Sequence, residues 1–441
     1  MVAMNKSKLK KLIDKRHRLI PGAAHTYSKG DDQFPANAPK VIIKGAGAYV
    51  WDENGKKYLD WCMGLRSVSL GHCYKKVNDA VSRQMKEGTN FGRPHAIEFE
   101  LADYLIKVLP ATQMVKFAKN GSTVTTAAIK LARAHTGRKY IAFCKDHPFF
   151  SYDDWFIGTT ACDSGVPEEI RKLTLCFRYN DISTLEKLFN DYRNKIACVI
   201  MEAATSEPPR DNFLKSVQNL CHANRAVFIL DEMITGFRWG LGGAQKYFGI
   251  KPDLSTYGKG IANGYSLAVL AGRRDIMELG GIIQKKSPKV FLISTTHGAE
   301  TISLAAGMAT IEEMKNKRVT DHFWKMGKLL QNGLQKLIAK RGIENHVKVF
   351  GFPPNLSMGF FDKKGESSAL IRTVFLQEIV SRNILFQGYF AVSFSHKRKE
   401  ISDTLKVFDQ ALSKLAVAIS DDKLEKELIG PTVKGVFQKY N

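Results

Sequence analysis

The 441-residue sequence lacks the features that would place it outside the ordinary globular proteins. It has no run near the roughly 20 apolar residues that a membrane-crossing helix needs. No apolar segment follows its basic first residues, as one does in a secretory signal. No internal repeat and no low-complexity tract interrupts the chain. We therefore expect a cytoplasmic globular protein with one continuous fold.

Cysteine is sparse and lacks the spacing of a disulfide framework or a metal site. The seven cysteines are odd in number and include no C-x-x-C pair. Most lie in apolar runs such as residues 197–200, where a thiol behaves as a small hydrophobic group. Only His72-Cys73 and Cys221-His222 place a histidine beside a cysteine, too little for a four-ligand zinc site. We expect a reducing compartment and predict no metal.

Acidic residues are in short supply. The chain has 66 Lys and Arg residues against 43 Asp and Glu residues, a formal net charge of +23. This excess favours acidic small molecules and, less specifically, nucleic acid or anionic membranes. The one dense basic run lies within residues 6–18, and no stripe of interleaved lysines and aromatics continues beyond it. A nucleic-acid-binding scaffold is therefore only a remote alternative to an enzyme.

Hydrophobic residues make up 44% of the chain, enough for a sizeable core. Between about residues 75 and 310, short apolar runs alternate with helical patterns, which predicts an α/β domain with a mainly parallel sheet. The strands predicted in this region are 114–118, 140–144, 173–177, 197–202, 226–231 and 290–293.

The two ends of the chain predict a smaller α+β domain. Residues 41–60 contain two short runs around Asn54-Gly55, a dipeptide that favours a type I′ hairpin turn. We assign residues 1–70 to an N-terminal segment that is part of the small domain, 71–315 to the large domain and 316–441 to the C-terminal small domain. In the last of these we predict helices at 318–341, from 369 and from 400, and strands at 347–350, 355–361 and 390–395.

Polar segments follow several predicted strands, at the edge of a parallel sheet where ligands bind. Gly121, Ser122 and Thr123 follow the strand 114–118 and precede a helical stretch. Their backbone N–H groups and hydroxyls could bind a phosphate at a helix N-terminus. The alternative is an ordinary Ser/Thr helix cap.

Asp231 and Lys259 complete a pattern that points to one cofactor. Asp231 ends a buried strand, a costly place for a carboxylate unless a cation such as a protonated heterocyclic nitrogen pairs with it. Lys259 lies between two glycines, which let a bulky ligand approach, and partial desolvation would make its amine a nucleophile able to form a Schiff base. The segment 294–298 adds further hydroxyls. Together these are the parts needed to hold pyridoxal phosphate (PLP).

The residues around Asp231 and Lys259 resemble a family signature. The sequence Ile-Leu-Asp-Glu-Met-Ile-Thr-Gly-Phe-Arg at 229–238, with the segments 242–249 and 258–264, resembles class III aminotransferases of PLP fold type I. Within that class it is most similar to glutamate-1-semialdehyde 2,1-aminomutases, and the likeness runs from residues 19–22 to Ser395-His396. The resemblance implies an α/β fold with a mainly parallel, seven-stranded sheet in the large domain, and PLP as cofactor.

The family pattern also implies roles for single residues. Lys259 would bind PLP covalently and move the substrate proton, and Asp231 would pair with the protonated pyridine nitrogen. Glu202, after the strand 197–202, would lie near the cofactor.

The cofactor phosphate would have ligands from two subunits. Gly121, Ser122 and Thr123 would bind it from one side. Thr296 falls where the family donates a phosphate ligand from the neighbouring subunit, which implies an obligate homodimer.

The departures from the family lie mainly on the substrate side. Residues 146–150 replace an aromatic-His-Gly motif over the cofactor ring, so that His147 would take the stacking position, with Phe149 as the alternative. Residues 26–29 replace a Ser-Pro-Val-Arg motif that meets the substrate carboxylate. Leu65, next to Arg66, replaces a tryptophan, and the segment 383–394 is shorter and lacks an expected acidic residue.

Two reactions follow from this resemblance. The first is transfer of an amino group to a separate carbonyl compound, and Thr26, Lys29, Arg66 and His147 would suit a hydroxylated or anionic acceptor such as a keto-sugar or sugar phosphate. The alternative is an intramolecular aminomutase. Overall likeness supports the aminomutase, whereas a lysine in place of a bidentate arginine weakens planar recognition of a carboxylate and opposes it.

Overall fold

The computed structural model describes residues 6–283 and 288–440, which form two compact units. One unit comprises the chain up to Leu65 together with Leu70–Tyr74 and His322–Gln438. The other comprises Arg66–Ser69, Lys75–Asp321 and the last residues from Lys439. We call them the terminal unit and the central unit. The domain boundaries at 70/71 and 315/316 stay predictions of the sequence.

The strands and the helices of six or more residues are numbered here in chain order. The strands are β1 Ile42–Ala46, β2 Tyr49–Asp52, β3 Lys57–Asp60, β4 Met114–Ala118, β5 Tyr140–Cys144, β6 Thr174–Phe177, β7 Ile196–Glu202, β8 Val227–Asp231, β9 Leu254–Tyr257, β10 Ala268–Gly272, β11 Val347–Phe350, β12 Ser357–Phe360 and β13 Ile384–Leu385. The helices are α1 Lys6–Asp14, α2 Lys75–Glu87, α3 Ala96–Val108, α4 Gly121–Thr136, α5 Ile182–Asp191, α6 Phe213–Ala223, α7 Gly243–Phe248, α8 Thr301–Asn316, α9 Val319–Lys340, α10 Ala369–Ser381 and α11 Arg398–Ser420.

The central unit is built on a seven-stranded sheet in the order β4-β10-β9-β8-β7-β5-β6. The pairs from β6 through β9 are parallel, and β10 runs antiparallel to both β4 and β9. All seven residues of β7 and all five of β8 are buried, as expected for strands covered on both faces. The predicted α/β fold with a mainly parallel sheet is confirmed.

The predicted strand 290–293 is wrong, because these residues join no sheet in the described part of the chain. Val290 and Leu292 are buried and Phe291 is exposed, which is the alternation of a strand. Among the described residues, one ladder-like bond is present, from the Val290 N–H to the Leu279 carbonyl. Apolar alternation reports burial, whereas a strand also needs a free sheet edge beside it. The strand β10, which was not predicted from the sequence, belongs to the sheet and is antiparallel to its neighbours.

The terminal unit contains a sheet in the order β1-β2-β3-β13 and a separate β11-β12 hairpin. The β13 strand lies parallel to β3, so a strand from the C-terminal part of the chain completes a sheet begun near the N-terminus. The prediction of a strand at 390–395 is wrong, since the described residues there form no strand and the short β13 precedes them. Phe390 and Val392 are nevertheless buried, which explains the strand-like pattern.

The turn between β2 and β3 is not of type I′. That turn needs a positive φ at two successive central residues, but of Asn54 and Gly55 only Gly55, at +85°, has one. Instead the Asp52 carboxylate accepts hydrogen bonds from the N–H groups of Asn54, at 2.9 Å, and Lys56, at 2.8 Å. These bonds reinforce a backbone turn in which the Gly55 N–H donates to the Asp52 carbonyl at 3.0 Å.

None of the helices in the described residues is long and apolar enough to cross a membrane.

Candidate active site

Three polar side chains stand in a row at the carboxyl ends of neighbouring strands of the central unit. Glu202 at the end of β7 pairs in register with Asp231 at the end of β8, and Asp231 pairs with Thr256 of β9. Residues in register share one face of a sheet, so the three side chains point the same way. All three are buried.

Two hydrogen bonds and a lysine partly offset the cost of burying the Asp231 carboxylate. Its Oδ1 accepts hydrogen bonds from the Met233 N–H at 2.8 Å and the Thr256 hydroxyl at 3.1 Å. Burial raises the pKa of Asp231 to about 6, and these bonds and the charge of Lys259 oppose the rise. Asp231 therefore remains largely ionised at neutral pH.

Lys259 follows β9 and lies close to the same row. Its side chain is partly buried, which leaves it reachable, and burial is the first cause that lowers the pKa of its amine. The charge of Arg66 lowers this pKa further, whereas Glu202 and Asp231 raise it. Lys259 also has a φ of +43°. Such a backbone costs an L residue roughly 1–2 kcal/mol, and strain of this kind is concentrated at functional sites.

Two glycines bring the helix α4 and Lys259 close to the same side chain. A Cβ on Gly121 would lie 3.0 Å from the Met233 Sδ, and one on Gly258 would lie 2.7 Å from it. Gly121 begins α4, Gly258 precedes Lys259, and Met233 comes two residues after Asp231. The three segments singled out in the sequence therefore converge around Met233.

The N-terminus of α4 is capped by Asn120. The Asn120 Oδ1 accepts from the Thr123 N–H at 2.9 Å and from the Thr123 hydroxyl at 3.0 Å. The Ser122 hydroxyl instead accepts from the Tyr152 N–H at 3.0 Å. Within the described residues, the N–H groups of Gly121 and Ser122 have no acceptor, so the positive end of the helix is available to an anion. The helix cap, which was the alternative role predicted for Ser122 and Thr123, is therefore supplied by Asn120.

The structure brings His147, and not Phe149, to the end of β7. The Nδ1 of His147 accepts from the Glu202 N–H at 3.0 Å, and the side chain is buried. Burial lowers the pKa of His147 to about 4. Phe149 is 45% exposed and packs against Phe156. Which of the two stacks on a cofactor stays a prediction.

The other predicted site residues are not all brought together. Thr296 lies exposed in a loop of the central unit, where its carbonyl accepts from Asn90 Nδ2 at 3.2 Å. Thr26 and Lys29 belong to the terminal unit, and Lys29 is exposed. Of the three predicted substrate-binding residues, only Arg66 belongs to the same unit as Lys259.

Sequence reasoning missed Thr256 and Arg238. The Thr256 hydroxyl donates a hydrogen bond to Asp231. Because β9 was not predicted as a strand, its register with β8 could not be predicted either. Arg238 is buried, donates from Nη2 to the Arg66 carbonyl at 3.0 Å, and lowers the pKa of Lys259. Its presence in the 229–238 signature was the available signal.

The donor set fits PLP. PLP has an aldehyde that a lysine can bind, a basic ring nitrogen that an ionised carboxylate can meet, and a phosphate that a helix N-terminus can hold. Lys259 can bind the aldehyde, Asp231 can meet the ring nitrogen, and the first turn of α4 can hold the phosphate. Gly121 and Gly258 both pack closely against Met233, so that a side chain at either position would press on it.

Comparisons with known proteins identify the family of the chain. The model of the aminotransferase class-III family matches residues 33–352. Glutamate-1-semialdehyde 2,1-aminomutase of Alkaliphilus oremlandii (strain OhILAs) is 31% identical over 427 residues, covering 92% of this chain and 99% of the relative. The enzyme of the same name from Aquifex aeolicus (strain VF5) is 28% identical over 436 residues, covering 92% of this chain and 100% of the relative.

Solved structures show the same fold. The PLP internal aldimine form of the FumI protein of Sphingopyxis sp. MTA144 matches with a TM-score of 0.85 at 23% identity, covering 94% of this chain and 98% of that one. An omega-transaminase from Sphaerobacter thermophilus matches with a TM-score of 0.83 at 22% identity, covering 92% and 97%. The chain therefore belongs to the class-III aminotransferase family and is a PLP-dependent enzyme.

Proposed function

We propose that the enzyme moves an amino group between carbons of one substrate, as an aminomutase of the glutamate-1-semialdehyde type. The observation that carries the proposal is the likeness to such aminomutases, 31% identical along 92% of the chain. The site is compatible with it, because Lys259, Asp231 and Glu202 lie together in one unit.

Lys259 is proposed as the group that moves the proton. Its lowered pKa leaves more of the amine neutral at neutral pH, and a neutral amine can accept a proton from the substrate carbon. PLP, when bound, supplies the electron sink that makes this carbon acidic. Asp231, ionised and fixed by Met233 and Thr256, would keep the ring nitrogen protonated.

The phosphate is proposed to bind at the first turn of α4, through the N–H groups of Gly121 and Ser122, and through Thr123 once its N–H or hydroxyl leaves Asn120. Thr296 of a second copy would add a further ligand, which makes the enzyme a homodimer. Support comes from a cavity of about 460 Å³ that Thr296 lines together with Phe91 and Phe99. Phe91 is 47% and Phe99 64% exposed, and large exposed apolar groups often mark protein interfaces.

Intermolecular transamination is the second candidate. It is favoured by Lys29, which stands in place of the family's carboxylate-binding arginine and offers a point charge instead of a planar fork. A small-molecule amino donor and carbonyl acceptor would then both be needed. The names of the relatives give no support to a sugar acceptor, so that detail stays a prediction.

The test incubates the holoenzyme with glutamate 1-semialdehyde as the only substrate. An aminomutase forms the isomer with the amine on the neighbouring carbon and needs no second substrate. A transaminase instead gives turnover only when an amino donor and a carbonyl acceptor are both added. Lys259→Ala should abolish either reaction, and Lys251→Ala, a change at an exposed lysine eight residues earlier, should leave it intact. No isomer from wild-type enzyme in any semialdehyde concentration tested would contradict the aminomutase.

A further inference from the structure

The imidazole of His147 is fixed in one orientation. Its Nδ1 accepts the Glu202 N–H at 3.0 Å, and the rings of Tyr179 and Phe150 lie 5.1 Å and 6.2 Å away. Tyr179 is anchored in turn, because its hydroxyl donates to the Ala203 carbonyl at 2.7 Å. Rotation of the His147 ring would break the bond to Glu202 in a site where His147 is only 2% exposed.

These contacts decide which nitrogen carries the proton. A backbone N–H can only donate, so the His147 Nδ1 that faces Glu202 must present its lone pair. Burial lowers the pKa of His147 to about 4, so the ring is neutral at neutral pH. A neutral imidazole has one ring proton, and in His147 it must be on Nε2.

The Nε2–H donor has nothing to bind within the described part of the chain. The Nε2 atom is buried and has no hydrogen-bond partner there. Leaving a buried donor unmet costs about 1–3 kcal/mol, and native proteins seldom tolerate it without a reason. The same ring is bonded to Glu202, which is the register partner of Asp231. A buried, unmet donor on a ring anchored at the end of β7 is available to a ligand that enters there.

We propose that the Nε2–H of His147 donates a hydrogen bond to an oxygen of bound PLP or of the substrate. This role goes beyond stacking, which any flat ring could supply. It rests on the proposed placement of PLP at Lys259. Because Nδ1 is committed to Glu202, His147 delivers this donor in a direction that does not change with pH above about 5.

Two variants separate donation from stacking. His147→Phe keeps a flat ring and removes the donor, whereas His147→Gln removes the ring and places an amide N–H where Nε2 lies. His135 is exposed on the last turn of α4, so His135→Phe and His135→Gln are matched controls. For each holoenzyme we would measure the dissociation constant of PLP, the pH dependence of the bound PLP absorbance, and the substrate KM.

Donation predicts a loss in His147→Phe that His147→Gln largely restores. Loss of a hydrogen bond to a charged oxygen should weaken binding of PLP or of the substrate by about 10- to 100-fold. If PLP affinity falls and the absorbance titration shifts, the acceptor is an oxygen of PLP. If only the substrate KM rises, the acceptor belongs to the substrate. His147→Phe that matches wild type in all three measurements, or His147→Gln that is as weak as His147→Phe, would overturn the proposal.

Nitrogen-15 spectra of wild-type holoenzyme labelled at histidine show which ring nitrogen of His147 carries the proton. This measurement needs no variant, so it tests the proposal even if a variant misfolds. A neutral His147 protonated at Nε2 is expected between pH 6 and 8. A proton on Nδ1 would contradict the inference. Failure of wild-type enzyme to bind PLP at Lys259 would instead refute the placement on which both this inference and the proposed function rest.

Discussion

Glu202 and Asp231 lie side by side as register partners at the carboxyl ends of the parallel strands β7 and β8. Burial, followed by the charge of Asp231, raises the pKa of Glu202 to about 8. Burial raises the pKa of Asp231 less, to about 6, because Met233, Lys259 and Thr256 stabilise its charge. The two neighbouring carboxyl groups thus have pKa values raised by different amounts, and Glu202 keeps its proton to a higher pH than Asp231 does.

We expect Glu202→Gln to change how the stability of the apoenzyme depends on pH. The pKa of Glu202 is raised from 4.5 to about 8 in the folded chain, so between these values the folded state binds more protons than the unfolded state. The free energy of unfolding then falls as pH rises through this window, by about 1.4 kcal/mol for each unit by which the pKa is raised. Glu202→Gln removes this contribution.

Urea denaturation of the apoenzyme at pH 5 and pH 8 measures the effect. Wild type should lose more stability between the two than Glu202→Gln, whereas Glu207→Gln, at an exposed position, should behave like wild type. Equal losses in wild type and Glu202→Gln would contradict the raised pKa.

Asp231→Asn should leave the protein folded and reduce turnover. The amide cannot hold the ring nitrogen of PLP protonated, and loss of one preorganised electrostatic contact typically costs about 10²–10³-fold in kcat. Asp253→Asn is a matched control, because Asp253 is also buried but bonds to Arg273 and to the Phe228 N–H. It should lower stability by about 1–3 kcal/mol with little change in kcat per bound PLP. The reverse pattern would assign Asp231 a structural role.

Gly258→Ala should weaken PLP binding through contact with Met233. Its φ of −178° is open to any residue, so the cause would be steric alone, with the new Cβ 2.7 Å from the Met233 Sδ. Overpacking of this kind costs about 1–3 kcal/mol. The double variant with Met233→Ala should recover much of the loss, as a double-mutant cycle of PLP affinity would show. Additive losses would mean that Met233 and Gly258 act independently.

Mixed dimers test whether Thr296 serves the partner's site. Lys259→Ala and Thr296→Val subunits should each have low activity alone at limiting PLP. When they are co-expressed in equal amounts, half of the dimers would be mixed, and each mixed dimer would contain one site with both native residues. About a quarter of wild-type activity should return. No gain above the separate variants would place Thr296 outside the partner's site.

The sequence predicts the central unit well where strands are short apolar runs. The predicted strands 114–118 and 140–144 match β4 and β5, and those at 197–202 and 226–231 end at Glu202 and Asp231 as predicted. These last two strand ends are predictable because an acidic residue follows each apolar run, although Glu202 and Asp231 are themselves buried. The placement of Glu202 beside Asp231 needed the register of the sheet, which no local pattern encodes.

The substrate side was the least predictable part. The absence of a familiar motif at residues 26–29 and 146–150 says which contact is lost but not which replaces it. The orientation of His147 depends on the Glu202 N–H, 55 residues away, and its tautomer is set by that single bond. Such long-range contacts become visible only when the chain is folded.

The central claim is that Lys259 is the residue that binds PLP, and one measurement addresses it directly. The purified holoenzyme is treated with borohydride, which makes the link between PLP and a lysine permanent, and is then digested and analysed by mass spectrometry. We expect the pyridoxyl group on Lys259 and on no other lysine. A label on a different lysine, or bound PLP that leaves Lys259 unmodified, would contradict the account.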